Sequence, residues 1–309
     1  MSSRLLFQRV RRELGRDARV VIATAVPPAV EGRPDDYRLV PSRLIEDDSL
    51  QIHLVGGPLA CPEPIAFLDG TQRVEVVGYV EATPVVAAIM AAAVRLRTDG
   101  HFVTVARQQR SVLVGRPDVL ESLEGDFGGF ERVPLAADDV LHPLKALEGV
   151  HRLIDTERSR LEREVGRTFR RTGPAWLVVD GVIADSGVWQ DDPRVIGVSK
   201  SHATLPFGGP DLERYLTLPS GHRTTVFEPA TWRIAPVRSW ALRLWPHEGR
   251  DLFHGLVRVE VAVAAGTSAH ADLVSRWLLA ERAPLSRPDA RWDRLLYGVA
   301  AVERHLRAR

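Results

Sequence analysis

Two aspartates close short apolar runs, Asp69 in IAFLDGTQR and Asp180 in AWLVVDG. A strand that ends in a carboxylate holds it on a rigid platform, which a metal site needs because its ligands must converge within fractions of an ångström. Asp-Gly is also a common turn dipeptide, so a structural reading stands beside the chemical one. A third acid lies on the helix predicted between them, where Leu147, Val150, Leu153, Ile154, Leu161, Val165 and Phe169 recur at helical spacing. At roughly 100° per residue, Glu157 falls about 50° from the centre of that apolar stripe and Glu162 about 90°. An acid on the inward flank of a core-packing helix needs a partner, either a cation or an arginine such as Arg158. Three carboxylates arriving from strand, helix and strand would form an all-oxygen site suited to Mg2+ or Mn2+ rather than zinc. Two such ions can activate a water and stabilise the leaving oxygen in phosphodiester hydrolysis. Lys200, just after the run VIGVS, could hold a scissile phosphate, or simply be solvated. Tyr297 and His305 lie about two turns apart on a predicted C-terminal helix, on a similar side.

The hydrophobic pattern supplies the elements that must position these groups. Residues 4–16 read as a short basic helix and 26–64 as loop-rich, with weak strands such as 50–55, so 1–64 is expected to be an N-terminal helix and arm. Strands are expected at 65–68, ending in the Asp69-Gly70 turn, at 73–81 and at 85–96, although the Ala run at 87–93 could also be helical. Further apolar runs follow at 101–114. The long helix spans 147–171, then come strands at 175–179 and 195–198, Pro- and Gly-punctuated β structure within 205–255, and a strong strand at 256–263. Amphipathic helices at 269–281 and 291–307 close the chain. This order suits an α/β fold, a mixed sheet flanked by helices. It resembles the ribonuclease-H-like layout, in which acids come from the first strand, the first helix and the fourth strand, with 205–255 as an additional β-rich insertion.

Composition narrows the alternatives. The chain has 309 residues, 45% hydrophobic and 26% charged, which excludes wholesale disorder. Its longest weakly polar stretch, 85–94, falls short of the roughly 20 residues a membrane span needs, and MSSRLLFQRVRREL has no apolar leader region. Cys61 is the only cysteine, which excludes disulfide scaffolds and Cys-based zinc sites and points to a cytoplasmic location. Net charge is only +1, with arginine concentrated at both ends of the chain. There is no G-x-x-x-x-G-K-[ST] loop, so ATP-driven motion would have to come from a partner. His247, Glu248, Asp251 and His254 lack the H-E-x-x-H spacing of a helical zinc site. His142 and His202 are singletons, and Trp232, Trp240 and Trp245 read as core rather than as base-stacking platforms.

The set LDGTQR, a helix bearing RLIDTERSRLE, WLVVDG, VIGVSK, and a C-terminal Tyr with a His eight residues later resembles the NurA nuclease family over residues 65–309. The resemblance implies a ribonuclease-H-like nuclease domain over that span, using Mn2+ or Mg2+ in a two-metal site to cleave DNA. It implies 5′-to-3′ exonuclease and single-strand endonuclease activity, a homodimer, and a HerA-type hexameric ATPase as partner in DNA end processing or defence. Asp69, Glu157 and Asp180 would be metal ligands, and Lys200, Tyr297 and His305 supporting residues. Glu162 and Glu164 stand as alternatives to Glu157, and Asp185 as a further nearby acid. The sequence departs from the family pattern in Asp-Gly-Thr for Asp-Gly-Ser, in Tyr297-Gly298 for Tyr-Pro, and in Arg304 where a small residue precedes the His. Those departures keep open a catalytically inactive DNA- or ATPase-binding scaffold subunit on the same fold.

Overall fold

The computed structural model describes residues 3–16, 20–22, 38–39, 42–98, 101–123, 127–136, 142–184, 187–202, 204–229, 235–248, 252–282 and 296–307. Helix α1 (Ser3–Leu14) is followed by four short strands, β1 (Val20–Ile22), β2 (Arg38–Leu39), β3 (Arg43–Leu44) and β4 (Ile52–Leu54). Three long strands then form an antiparallel meander: β5 (Ile65–Val80), β6 (Thr83–Thr98) and β7 (His101–Gly115). Helix α2 (Pro117–Ser122) and β8 (Glu131–Pro134) lead into the long helix α3 (Pro143–Arg170), then β9 (Trp176–Asp180) and β10 (Val195–Ser199). The remainder comprises β11 (Thr204–Leu205), α4 (Gly209–Leu216), β12 (His222–Thr224), β13 (Phe227–Glu228), β14 (Val237–Arg243), β15 (Leu256–Ala262), α5 (Ser268–Glu281) and α6 (Tyr297–Arg307).

The centre of the main sheet runs β7-β6-β5-β9-β10. Strand β9 is parallel to β5 and β10 is parallel to β9, and α3 carries the chain from the meander to β9. A three-strand meander, a crossover helix and two further parallel strands on the far side of the first strand constitute the ribonuclease-H-like fold. Strands β15, β14 and β13 extend the sheet beyond β10; β13 and β14 fall within the expected β-rich insertion at 205–255, and β15 directly follows it. Among the described residues, no helix is long and apolar enough to cross a membrane.

One local expectation changes, and one open alternative is decided. Asp69-Gly70 is not a turn: β5 runs straight through it, with Asp69 opposite Ala93 and Gly70 opposite Ala92. A turn dipeptide expresses only a local preference, and the continuous ladder to β6 overrides it. The reversal falls instead after Val80, where Glu81 adopts φ 52°. The Ala run at 87–93 is strand, not helix. Ala88, Met90 and Ala92 pack with α3, Ala87 and Ile89 with α1, and Ala91 and Ala93 with the cluster that contains α5 and α6. A strand buried on both faces loses its alternation and reads as an uninterrupted apolar run.

Helix α3 starts at Pro143 behind His142, whose ring accepts a hydrogen bond from the Leu144 N–H. It buries Val150, Ile154, Leu161, Val165 and Phe169 against Leu68, Ala88 and Leu177, each contributing roughly 1.5–3 kcal/mol. On the opposite face, α6 crosses β5 and β6, and the first part of its predicted span, 291–295, lies outside the described residues. Its close approach depends on Gly298, where a β-carbon would overlap the fully buried ring of Phe67. Gly298→Ala is therefore expected to cost about 1–3 kcal/mol through overpacking, although alanine is the better helix former. The readout is the denaturant midpoint, and an unchanged midpoint would contradict this packing.

Candidate active site

Strand register brings the first three groups together. In the parallel pair β5–β9, Leu68 is opposite Val179, so one further step along each strand sets Asp69 beside Asp180. On the next strand Val198 pairs with Asp180, and Lys200 follows two residues later. Side chains alternate along a strand. Asp69, Asp180 and Lys200 therefore share a face with Phe67, Val178 and Val198, which belong to the core cluster beneath α5 and α6. Lys200 Nζ donates to Asp180 Oδ2 at 2.6 Å. Gly181, at φ +133°, turns the chain away directly after Asp180, a conformation that L side chains rarely adopt.

The helix acid nearest to them is Glu162, which approaches β5 from the α3 face. A β-carbon at position 70 would fall on the Glu162 carboxylate, so the absence of a side chain at Gly70 lets that carboxylate lie against β5 at the position next to Asp69. Arg158, one turn earlier, donates to Glu162 Oε1. Burial pushes the Glu162 carboxyl above its ordinary pKa, with Arg158 opposing and the Asp180 charge reinforcing the shift. Asp69, only 9% exposed, is pushed well above its ordinary value. Burial is the main cause, the charges of Asp180, Glu162 and Glu303 add to it, and Lys200 opposes.

Glu157 is elsewhere. It pairs with Arg110 of β7 and, at 3.0 Å, with Arg160. Five residues along a helix correspond to about 140° of rotation, so Glu157 and Glu162 occupy opposite flanks of the stripe, one facing β7 and the other the ends of β5 and β9. Glu164 is exposed and accepts from Gln108 at 3.4 Å. Tyr297 packs its ring 5.8 Å from Phe102, and His305 Nε2 lies 3.3 Å from Thr104 Oγ1. Both contacts are to β7, which β6 separates from β5, a lateral distance of about 10 Å. From the same helix it is Glu303 whose charge reaches Asp69. Glu303 was open to the reasoning applied to Glu157, because it follows the buried Val299 by one turn. Asp185 lies outside the described residues.

A second group lies on β4 and the residues between β3 and β4. Among the described residues, Glu46, Asp47 and His53 are the one trio whose ligand atoms all lie within 4.8 Å of one another, a possible divalent-metal site. Its groups are hydrogen-bonded within the protein. Glu46 accepts from both terminal nitrogens of the buried Arg223, at 2.7 and 2.8 Å, and from the Val226 N–H at 2.9 Å. Burial alone would raise the Glu46 carboxyl, but these donors hold it down at about 2. Asp47 Oδ2 accepts from Thr225 Oγ1 at 2.6 Å and lies 2.9 Å from His53 Nε2.

The Asp69 group is not among the trios set within 4.8 Å, and its Asp180 is engaged by Lys200. Its donors are all carboxylate oxygens, from Asp69, Asp180, Glu162 and Glu303, with the ammonium of Lys200 acting on Asp69 against them. That all-oxygen donor set fits a hard divalent cation.

The remaining sequence candidates have structural roles. His202 lies 3.1 Å from the Leu256 carbonyl and stacks on Phe253. Trp240 is fully buried, donating to Ser275, and Trp245 lies beneath Arg282. His254 is buried. Trp232 and Asp251 lie outside the described residues.

No protein-family profile matches the sequence, and comparison with curated proteins finds no match. Among solved structures the chain is similar to the NurA nuclease from Sulfolobus solfataricus, at 10% identity and a TM-score of 0.47 over 81% of this chain and 80% of that one. It is also similar to endonuclease V from Streptomyces avermitilis, at 14% identity and a TM-score of 0.37 over 92% and 95% of the two chains. The catalytic domain of human endonuclease V aligns at 15% identity and a TM-score of 0.32, over 99% and 96%. At such identities a likeness says nothing of substrate. The chain's own topology makes it ribonuclease-H-like, with acids at adjacent positions on two of its central parallel strands.

Proposed function

We propose that the protein is a divalent-metal-dependent nuclease acting on DNA, with Asp69, Asp180 and Glu162 as metal ligands and Glu303 as a fourth acid at the edge of the site. The observation that carries this reading is the parallel register of β5 and β9, which sets Asp69 and Asp180 one step beyond the Leu68–Val179 pair, with Glu162 seated against Gly70. Mg2+ or Mn2+ bound there would supply charge neutralisation and Lewis-acid polarisation of a phosphodiester. The strands hold Asp69 and Asp180 on a packed core, so the ligands are preorganised. Lys200 is one of only two lysines in the chain, and its ammonium, on leaving Asp180, is placed to take a phosphate oxygen. In this reading Tyr297 and His305 seat α6 on β7, and Glu157 ties α3 to that strand. Cleavage from 5′ ends, single-strand endonuclease activity, a homodimer and a HerA-type ATPase partner rest on the sequence resemblance to NurA nucleases. A cytoplasmic location rests on the cysteine usage.

One observation favours a second reading. The 2.6 Å contact from Lys200 neutralises a proposed ligand, as a non-catalytic DNA- or ATPase-binding scaffold would allow. End-labelled single- and double-stranded DNA incubated with Mn2+, Mg2+ or EDTA separates the two. The nuclease reading expects metal-dependent cleavage by wild type and none by Asp180→Asn. DNA or ATPase binding without cleavage, even with the ATPase present, would establish the scaffold.

A further inference from the structure

Around and beyond Glu162, helix α3 carries Arg160, Arg163 and Arg167, and Arg171 follows as its C-cap residue; spacings of three and four residues align them in one stripe. The stripe lies opposite the buried Val165 and Phe169 and, together with Thr168 and a single acid, Glu164, lines an open groove of about 370 Å³. Across the groove stands Val188, on the segment that follows Asp180. The ion pairs of this half of α3 engage Arg158, Arg160 and Arg170. They leave the exposed Arg167 and Arg171 with no ion pair among the described residues, and Arg163, half-buried, acts on the neighbouring Glu162 through its charge alone. Successive members stand about 6 Å apart along the axis, comparable to the interval between phosphates of a nucleic-acid strand. Guanidinium groups match phosphate oxygens in pairs. A row of such groups repels itself unless a polyanion lies along it.

We propose that this groove holds the phosphodiester backbone of a nucleic-acid strand, with Arg163 nearest the acids and Arg167 and Arg171 on the phosphates that follow. The track leads away from Glu162 for about 13 Å of helix. Its orientation toward the acids rests on the nuclease reading, whereas its binding of the strand does not.

The test is fluorescence anisotropy of a labelled single-stranded oligodeoxynucleotide, titrated in EDTA over a salt series with the full-length protein. Compared with wild type, the triple variant Arg163→Gln, Arg167→Gln, Arg171→Gln is expected to bind at least about tenfold more weakly near 0.1 M salt. Its slope of log affinity against log salt should be shallower by about 2, since each lost phosphate contact on a single strand accounts for about 0.7. The matching triple lysine variant should keep most of the slope, and Arg214→Gln on α4 should keep all of it. If the triple glutamine variant melts below wild type, Arg171→Gln alone is read, with an expected change of about 0.7. Unchanged slope and affinity, or a wild type that does not bind the strand at low salt, would overturn the proposal. Because the titration excludes metal, a protein that binds along the stripe yet never cleaves DNA would defeat only the nuclease reading.

Discussion

Asp69→Asn is expected to abolish metal-dependent DNA cleavage and, in the same protein, to raise the melting temperature at neutral pH. The first effect should reach at least about 10³-fold, equivalent to about 4 kcal/mol of transition-state stabilisation, because Asp69 is the most buried of the grouped carboxylates and stands beside Asp180. The second follows from the same crowding. Asp69 is an acid whose folded pKa lies well above its ordinary 3.8, through burial first and then the charges of Asp180, Glu162 and Glu303. Between the ordinary and the raised value, the native protein retains a proton that the unfolded chain has released. Stability therefore falls as pH rises through that window, and the cost is fully present above it. An uncharged asparagine avoids that cost. The stability gain should be largest at pH 7–8 and vanish only as pH falls below 3.8, where both states of wild type hold the proton. Added Mn2+ should raise the melting temperature of wild type and leave Asp69→Asn unmoved, since only wild type retains the ligand. A variant that cleaves DNA, or that melts below wild type at pH 8, would remove Asp69 from the proposed centre.

Asp69, Asp180 and Lys200 are legible in the sequence because each ends or follows a run of residues that strand packing buries, and one step of register carries all three to the same face. Element order is legible for a similar reason, since alternation and helical spacing report burial directly. The continuation of β5 through Asp69-Gly70 is not legible, because it depends on a ladder with residues more than twenty positions away. Nor is the choice between Glu157 and Glu162. A helical wheel measures how far an acid lies from the apolar stripe, but which flank meets the strand ends depends on how α3 lies across β5, β6 and β7. Glu303 is hidden in the same way. Its approach to Asp69 is set by the docking of α6, which the contact of Gly298 with Phe67 controls.

Glu162→Gln is expected to reduce cleavage by about 10²–10³-fold, the scale of removing one preorganised electrostatic group, whereas Glu157→Gln should stay within about twofold. Both glutamates belong to α3 and both are paired with arginine, so the contrast isolates which flank of the helix does chemistry. The reverse outcome, with Glu157→Gln inactive and Glu162→Gln active, would place the centre at β7. Gly70→Ala supplies the complementary perturbation. It leaves every charge in place, and what it displaces is the far end of a flexible side chain, so the fold should persist. The Glu162 carboxylate must nevertheless move, and a misplacement of about 1 Å can cost about 10²-fold in rate. Binding of DNA in EDTA should be unchanged in Gly70→Ala, so that the loss falls on kcat. If removing the charge and filling its space produce the same loss, the carboxylate acts from its seat against β5. If Gly70→Ala is fully active while Glu162→Gln is not, Glu162 acts from another rotamer and Gly70 serves packing alone.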